Sequence, residues 1–175
     1  MTDIVVASPD EVRRVVEAFW DLSWPQPKAA VMETAETLGW SVDVDHEGGA
    51  YFRTGYGTGD ALASAVLVGP ELAKQAGYAL GDLMEITVPL TSVADASDAG
   101  QKRAVAAASR SLIGVVTELL GAPSGKITSR SRVFWDTPTG GRITVQKLSM
   151  MVTLVVGSAA AADIERGEAR FGTAR

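Results

Sequence analysis

A chain of 175 residues, 46% hydrophobic and 21% charged, is long enough to bury a core and needs no disulfide or metal staple. It has no cysteine and one histidine, His46, which excludes thiol nucleophiles, disulfides and cysteine metal sites and leaves one imidazole for acid–base work. The net charge of −5 is uneven: residues 1–60 hold four basic and eleven acidic side chains, a balance of −7, so the remainder is +2.

Ser8-Pro9-Asp10-Glu11 predicts a helix start, with Ser8 as cap, Pro9 in the first turn and Glu11 closing a capping box. Val12, Val15, Val16 and Phe19 follow at helical spacing, and Pro25 ends the run near Trp24. A second helix is expected over about 27–38, striped by Val31, Met32, Ala35 and Leu38 and capped by Gly39.

The period then changes to two. Trp40, Val42 and Val44 alternate with Ser41, Asp43 and Asp45, which predicts a half-buried strand, and His46-Glu47-Gly48-Gly49 reads as a turn. Strands are expected over 50–54 and 61–68, separated by Gly55-Tyr-Gly-Thr-Gly59. A short helix over 71–79 precedes a strand over 83–90, which Pro89 marks as an edge or as ending there.

Residues 91–100 are polar and turn-rich, the best candidate linker. A long helix follows to about Leu120, with Leu112, Val115, Val116 and Leu119 on one face and Gly121 and Pro123 beyond it. After a loop, strands are expected over 130–136, 142–147 and 151–156, and Ser158 can cap a final helix over about 159–168.

This pattern gives an α+β fold: an antiparallel sheet with helices packed mainly on one face, built as two α-βββ-α units sharing a core. The expected organisation is one domain over 1–175, with a subdivision at 1–92 and 98–172 as the alternative. The N-terminus carries no basic region or long apolar run, so it does not read as a signal peptide, and the expected location is cytoplasmic.

Asp43-Val-Asp-His-Glu47 is the one acid–imidazole cluster, with Asp43 and Asp45 expected on one strand face. A divalent cation there would need a spacing known from metal loops, and this one matches none, so a solvated hairpin is favoured and no metal is expected. Gly55-Tyr-Gly-Thr-Gly59 lacks the lysine and the following helix of a phosphate loop and reads as a glycine-rich turn. No Gly-x-Ser-x-Gly elbow marks a hydrolase, so no catalytic residue is assigned and enzyme status stays open.

Arg130 and Arg132, expected on one face of their strand, are candidate anion-binding residues, Arg142 joins them as a candidate for phosphate, and cross-strand pairing of these arginines with acids is the structural alternative. The acidic composition and 6% aromatic content disfavour nucleic acid, and no cofactor is implied. Trp20, Trp40 and Trp135 lie on or beside apolar stripes and are assigned to the core. Trp24, in the interhelical link, is the candidate interface tryptophan.

Two segments carry a resemblance. Met32 to Leu38-Gly39-Trp40 ends a helix, and Trp135-Asp-Thr-Pro138-Thr-Gly140 leads into Arg142-Ile-Thr-Val. Together they resemble a family of small, uncharacterised actinobacterial cytoplasmic proteins placed beside secreted polymorphic toxins. The resemblance implies an immunity or chaperone role and carries no catalytic residues with it.

The expected function is thus non-catalytic binding of one protein partner, a toxin or secreted protein. Asp43, Asp45, Glu47 and Trp24 are the candidate partner-binding residues. The alternatives are a small-molecule site, which would bring Arg130, Arg132 and His46 together, and a structural oligomer using sheet edges or Trp24. No membrane association is expected, and the oligomeric state is left open.

Overall fold

A computed structural model of the protein describes residues 3–74 and 78–163. Helix α1 (Pro9–Trp20) starts as its sequence requires: Ser8 Oγ accepts from the Glu11 amide at 3.3 Å, and the Glu11 carboxylate accepts from the Ser8 amide at 2.6 Å. Such a cap contributes about 1 kcal/mol. Its Val12, Val15, Val16 and Phe19 are fully buried.

A two-residue strand β1 (Gln26–Pro27) leads into α2 (Lys28–Thr37), then β2 (Ser41–His46), β3 (Gly49–Arg53) and β4 (Ala63–Leu67). The helix expected over 71–79 is a single turn, α3 (Pro70–Ala73), and residues 75–77 lie outside the described residues. Strand β5 (Asp82–Pro89) follows.

Helix α4 (Ala99–Leu120) is capped by Asp98, whose carboxylate accepts from the amides of Gly100 and Gln101. The supposed loop after it contains a strand, β6 (Gly125–Ile127), followed by a 3-10 turn (Thr128–Arg130). Then come β7 (Arg132–Asp136), β8 (Gly141–Lys147) and β9 (Val152–Ser158). Residues 159–163 are helical, with the Ser158 hydroxyl accepting from the Ala161 amide at 3.4 Å; the rest of the expected final helix lies outside the described residues.

The sheet is antiparallel and has nine strands, with eight in the order β2-β3-β4-β5-β9-β8-β7-β6 and β1 pairing with the start of β5. Two four-stranded meanders, β2–β5 and β6–β9, therefore meet through their last strands. Each meander follows a helix: the first half runs α2-β2-β3-β4-α3 and then β5, in the order expected, and the second runs α4, four strands and the helical residues 159–163, one strand more than expected. The fourth strand of the second half was missed because Gly125-Lys-Ile127 is too short to show a period. Pro89 does not make β5 an edge: β5 lies in the middle of the sheet and ends at that proline.

The core lies between one sheet face and the helices α1, α2 and α4. Phe52, Ile86, Val88, Leu154, Val156, Ile143 and Trp135 line the sheet side, against Phe19, Val31, Val105, Leu112 and Val116. The Trp135 indole N–H donates to the Gly121 carbonyl at 3.0 Å, tying β7 to the end of α4. Of the tryptophans assigned to the core, Trp40 and Trp135 are buried and Trp20 packs against the cluster from its margin.

Candidate functional site: the β2 edge and the outer sheet face

Strand β2 forms because Val42, Val44 and their polar neighbours suit an extended chain beside β3, but its side chains do not alternate in and out as the sequence suggests. All six residues are exposed, Val42 at 48% and Val44 at 47%. β2 is the terminal strand, and a register shift interrupts its alternation: Val42 stands opposite Phe52 while Val44 stands opposite Tyr51, leaving Asp43 as an extra residue. One inserted residue moves every later side chain to the other face. Val42 therefore shares the helix-side face with Phe52, and Val44 shares the outer face with Tyr51.

The same shift separates the two aspartates expected on one face. Asp45 stands opposite buried Ala50, on the helix side, where it pairs with Lys28 at the start of α2. The Lys28 ammonium also donates to the His46 carbonyl at 2.8 Å. Asp43 instead pairs with Arg53 at 2.7 Å. Glu47 sits exposed in the β2–β3 turn with no ion pair among the described residues.

His46 stacks on Tyr51, ring centroids 5.8 Å apart, and its Nδ1 accepts from the Gly48 amide at 3.2 Å. Among the described residues no group of three or more histidine or acidic side chains could hold a metal ion.

Val44, Tyr51 and Val66 make an apolar patch on the outer face, exposed at 47%, 41% and 38%. Val44 is directly across from Tyr51, and Val66 is diagonal to Tyr51 because it stands across from Gly49. Gly49 is required there: a Cβ would lie 2.1 Å from the Ala65 carbonyl oxygen.

The glycine-rich segment lies at the far end of the same hairpin. Gly55, Gly57 and Gly59 all have positive φ, a path that side-chain-bearing residues resist. With Arg53, Thr54, Tyr56, Thr58, Ala61 and Leu62 they line a concave surface of about 350 Å³. The Tyr56 hydroxyl accepts from the Trp40 indole N–H at 3.0 Å, and burial pushes the phenol above its ordinary pKa.

Arg130 and Arg132 do not share a strand face. Arg130 belongs to the 3-10 turn, Ser131 takes a left-handed φ of 49°, and β7 begins only at Arg132. The Arg132 Nε is buried with no hydrogen-bond partner among the described residues. Both arginines lie toward the β6–β7 edge, across the whole sheet from His46, so the structure does not bring the three together.

Trp24 is partly buried. Its amide donates to the Thr139 carbonyl at 3.1 Å, and its indole lies so close to Gly141 that a Cβ there would fall 2.4 Å from its Nε1. That nitrogen has no partner among the described residues. The candidate interface tryptophan thus clamps the β7–β8 hairpin to the α1–α2 link.

The strongest polar assembly is centred on Arg142, which is buried. It donates to Asp136 from Nε at 2.5 Å and from Nη2 at 3.1 Å, to Asp163 from Nη1 at 3.0 Å, and covers the Phe134 ring at 4.1 Å. Asp136 stands directly across from it in the ladder, so this is the cross-strand pairing foreseen as the alternative to anion binding.

Fold and surface together define an α+β protein with an exposed sheet edge and an apolar patch beside it. The chain belongs to a family of unknown function (DUF6301), which matches residues 10–158. No curated protein and no solved structure matches the chain. No described helix is long and apolar enough to cross a membrane.

Proposed function

We propose that this is a non-catalytic protein-binding domain of the cytoplasm, most concretely an immunity protein or chaperone for a toxin or secreted protein. One observation carries the reading: Val44, Tyr51 and Val66 lie together on the outer face, beside an edge strand whose every side chain is exposed. Contiguous apolar surface at a polar rim is characteristic of interaction sites. The immunity and chaperone roles rest on the resemblance of the helix-end and hairpin segments. Asp43 and Asp45, being paired internally, serve mainly to fix the hairpin, and Glu47 is the acid left to meet a partner.

The test is co-purification from the native host, compared with a Val44→Ser/Tyr51→Ser/Val66→Ser variant. Loss of a stoichiometric partner with unchanged Tm supports the reading. A partner retained by the triple variant, or no partner in cells expressing the neighbouring genes, rejects it.

A second reading, small-molecule binding, is favoured by the concave surface around Gly55–Gly59. It predicts ligand-induced thermal stabilisation that Leu62→Arg removes. An unaltered Tm across a metabolite set counts against it.

A further inference from the structure

We infer that β2 accepts an extended basic segment of the partner protein as an additional strand of the sheet, an inference that rests on the protein-binding reading above. β2 is the terminal strand of the β2–β5 meander and pairs on one side only, with β3. Its other side therefore presents backbone N–H and C=O groups to any chain that can lie alongside.

Charge selects the occupant. Residues 28–60, which build α2, β2, β3 and the glycine-rich turn after them, hold two cations and six acids, a balance of −4. Both cations are engaged: Lys28 by Asp45 and Arg53 by Asp43. Glu33, Glu36, Glu47 and Asp60 remain, all exposed, with no ion pair among the described residues. Of these, Glu47 stands in the β2–β3 turn at the end of the edge itself, within a region of net negative charge, so lysine or arginine on an incoming strand is favoured.

The same arithmetic argues against a second copy of this chain. Pairing β2 with itself would bring together two regions that each carry a net −4, and like-signed surfaces repel. The outer-face patch of Val44, Tyr51 and Val66 continues toward this edge, so apolar residues alternating with the basic ones would extend it.

The experiment uses the full chain, isotope-labelled, with an octapeptide of alternating lysine and valine as probe. Amide exchange along 41–46 should slow about tenfold or more when the peptide is added at low salt, because strand pairing protects edge amides. The protection should vanish when alternate peptide amides are N-methylated, and should weaken severalfold at ~0.5 M salt and with Glu47→Lys.

Peptide binding that leaves 41–46 unprotected, or that survives N-methylation, overturns strand addition, as does the absence of binding. Protection that instead rises with protein concentration alone overturns it in favour of a second copy. If strand addition fails while the Val44/Tyr51/Val66 variant still loses the co-purified partner, the protein-binding reading stands without it. If no partner exists, both fall.

Discussion

The two meanders of this sheet share a plan and differ in how they finish their outer face. In β6–β9, strand β8 buries its first five residues, including Arg142 and Thr144 on the face away from the helices. There Arg142 satisfies Asp136 and Asp163 and covers Phe134. In β2–β5 the equivalent face carries exposed Val44, Tyr51 and Val66, and the ion pairs stand at the surface. The same architecture can thus close one half for stability and leave the other available for contact.

Removing a buried anchor should hit the closed half hardest. Trp135→Ala deletes a ring that is 2% exposed and frees the Gly121 carbonyl, so about 3–5 kcal/mol should be lost in denaturant unfolding. Tyr51→Ala, on the open half, should stay within about 0.5 kcal/mol, as exposed positions do. Comparable losses at the two sites would mean that the open half is not open in solution.

Arg142→Gln should cost about 1–3 kcal/mol, because it removes the charged hydrogen bonds of a buried group. Its carboxylate partners are about half exposed and can turn to water, which keeps the loss below that of a fully buried pair. Asp43→Asn, at an exposed pair, should cost no more than about 1 kcal/mol and less in high salt. Equal salt dependence in the two variants would contradict the contrast.

Tyr56→Phe should cost about 1–3 kcal/mol by leaving the Trp40 indole N–H without its acceptor. It should also change the alkaline limb. The Tyr56 pKa is raised on folding, so its contribution is fully present below the ordinary tyrosine pKa and is lost as pH rises through the folded value. The variant should therefore lose less stability than wild type on going to alkaline pH, measured by unfolding midpoints.

The smallest effect concerns Asp95, held below the usual carboxylate range by the Ser97 hydroxyl and amide. Its contribution is present above the ordinary aspartate pKa and fades as pH falls through the folded value. Ser97→Ala should move the Asp95 titration upward, as followed by NMR. An unmoved titration would show that the hydroxyl does not hold the charge.

Much of the fold was legible in the sequence because local chemistry and final structure agree. The Ser8–Glu11 cap, the α1 stripe and the long α4 follow from side-chain spacing alone, and so does the α+β class with helices on one face. The site was less legible. Val42 and Val44 looked like two residues of one buried face, and Asp43 and Asp45 like a pair on the other. The register shift at Asp43 undoes both assignments, and no residue type there marks a bulge. Arg142, buried at the centre of its assembly, reads in sequence like the exposed Arg130.

The sequence by itself thus determined the longer elements, since capping and hydrophobic period act within a few residues, while short ones such as β1 and β6 carry no period to read. Only the tertiary structure decided which strand stands at the edge, which acids are neutralised by Lys28 and Arg53, and which face stays uncovered. These depend on contacts between residues far apart in the chain, and a single unpaired residue in the ladder is enough to reverse them.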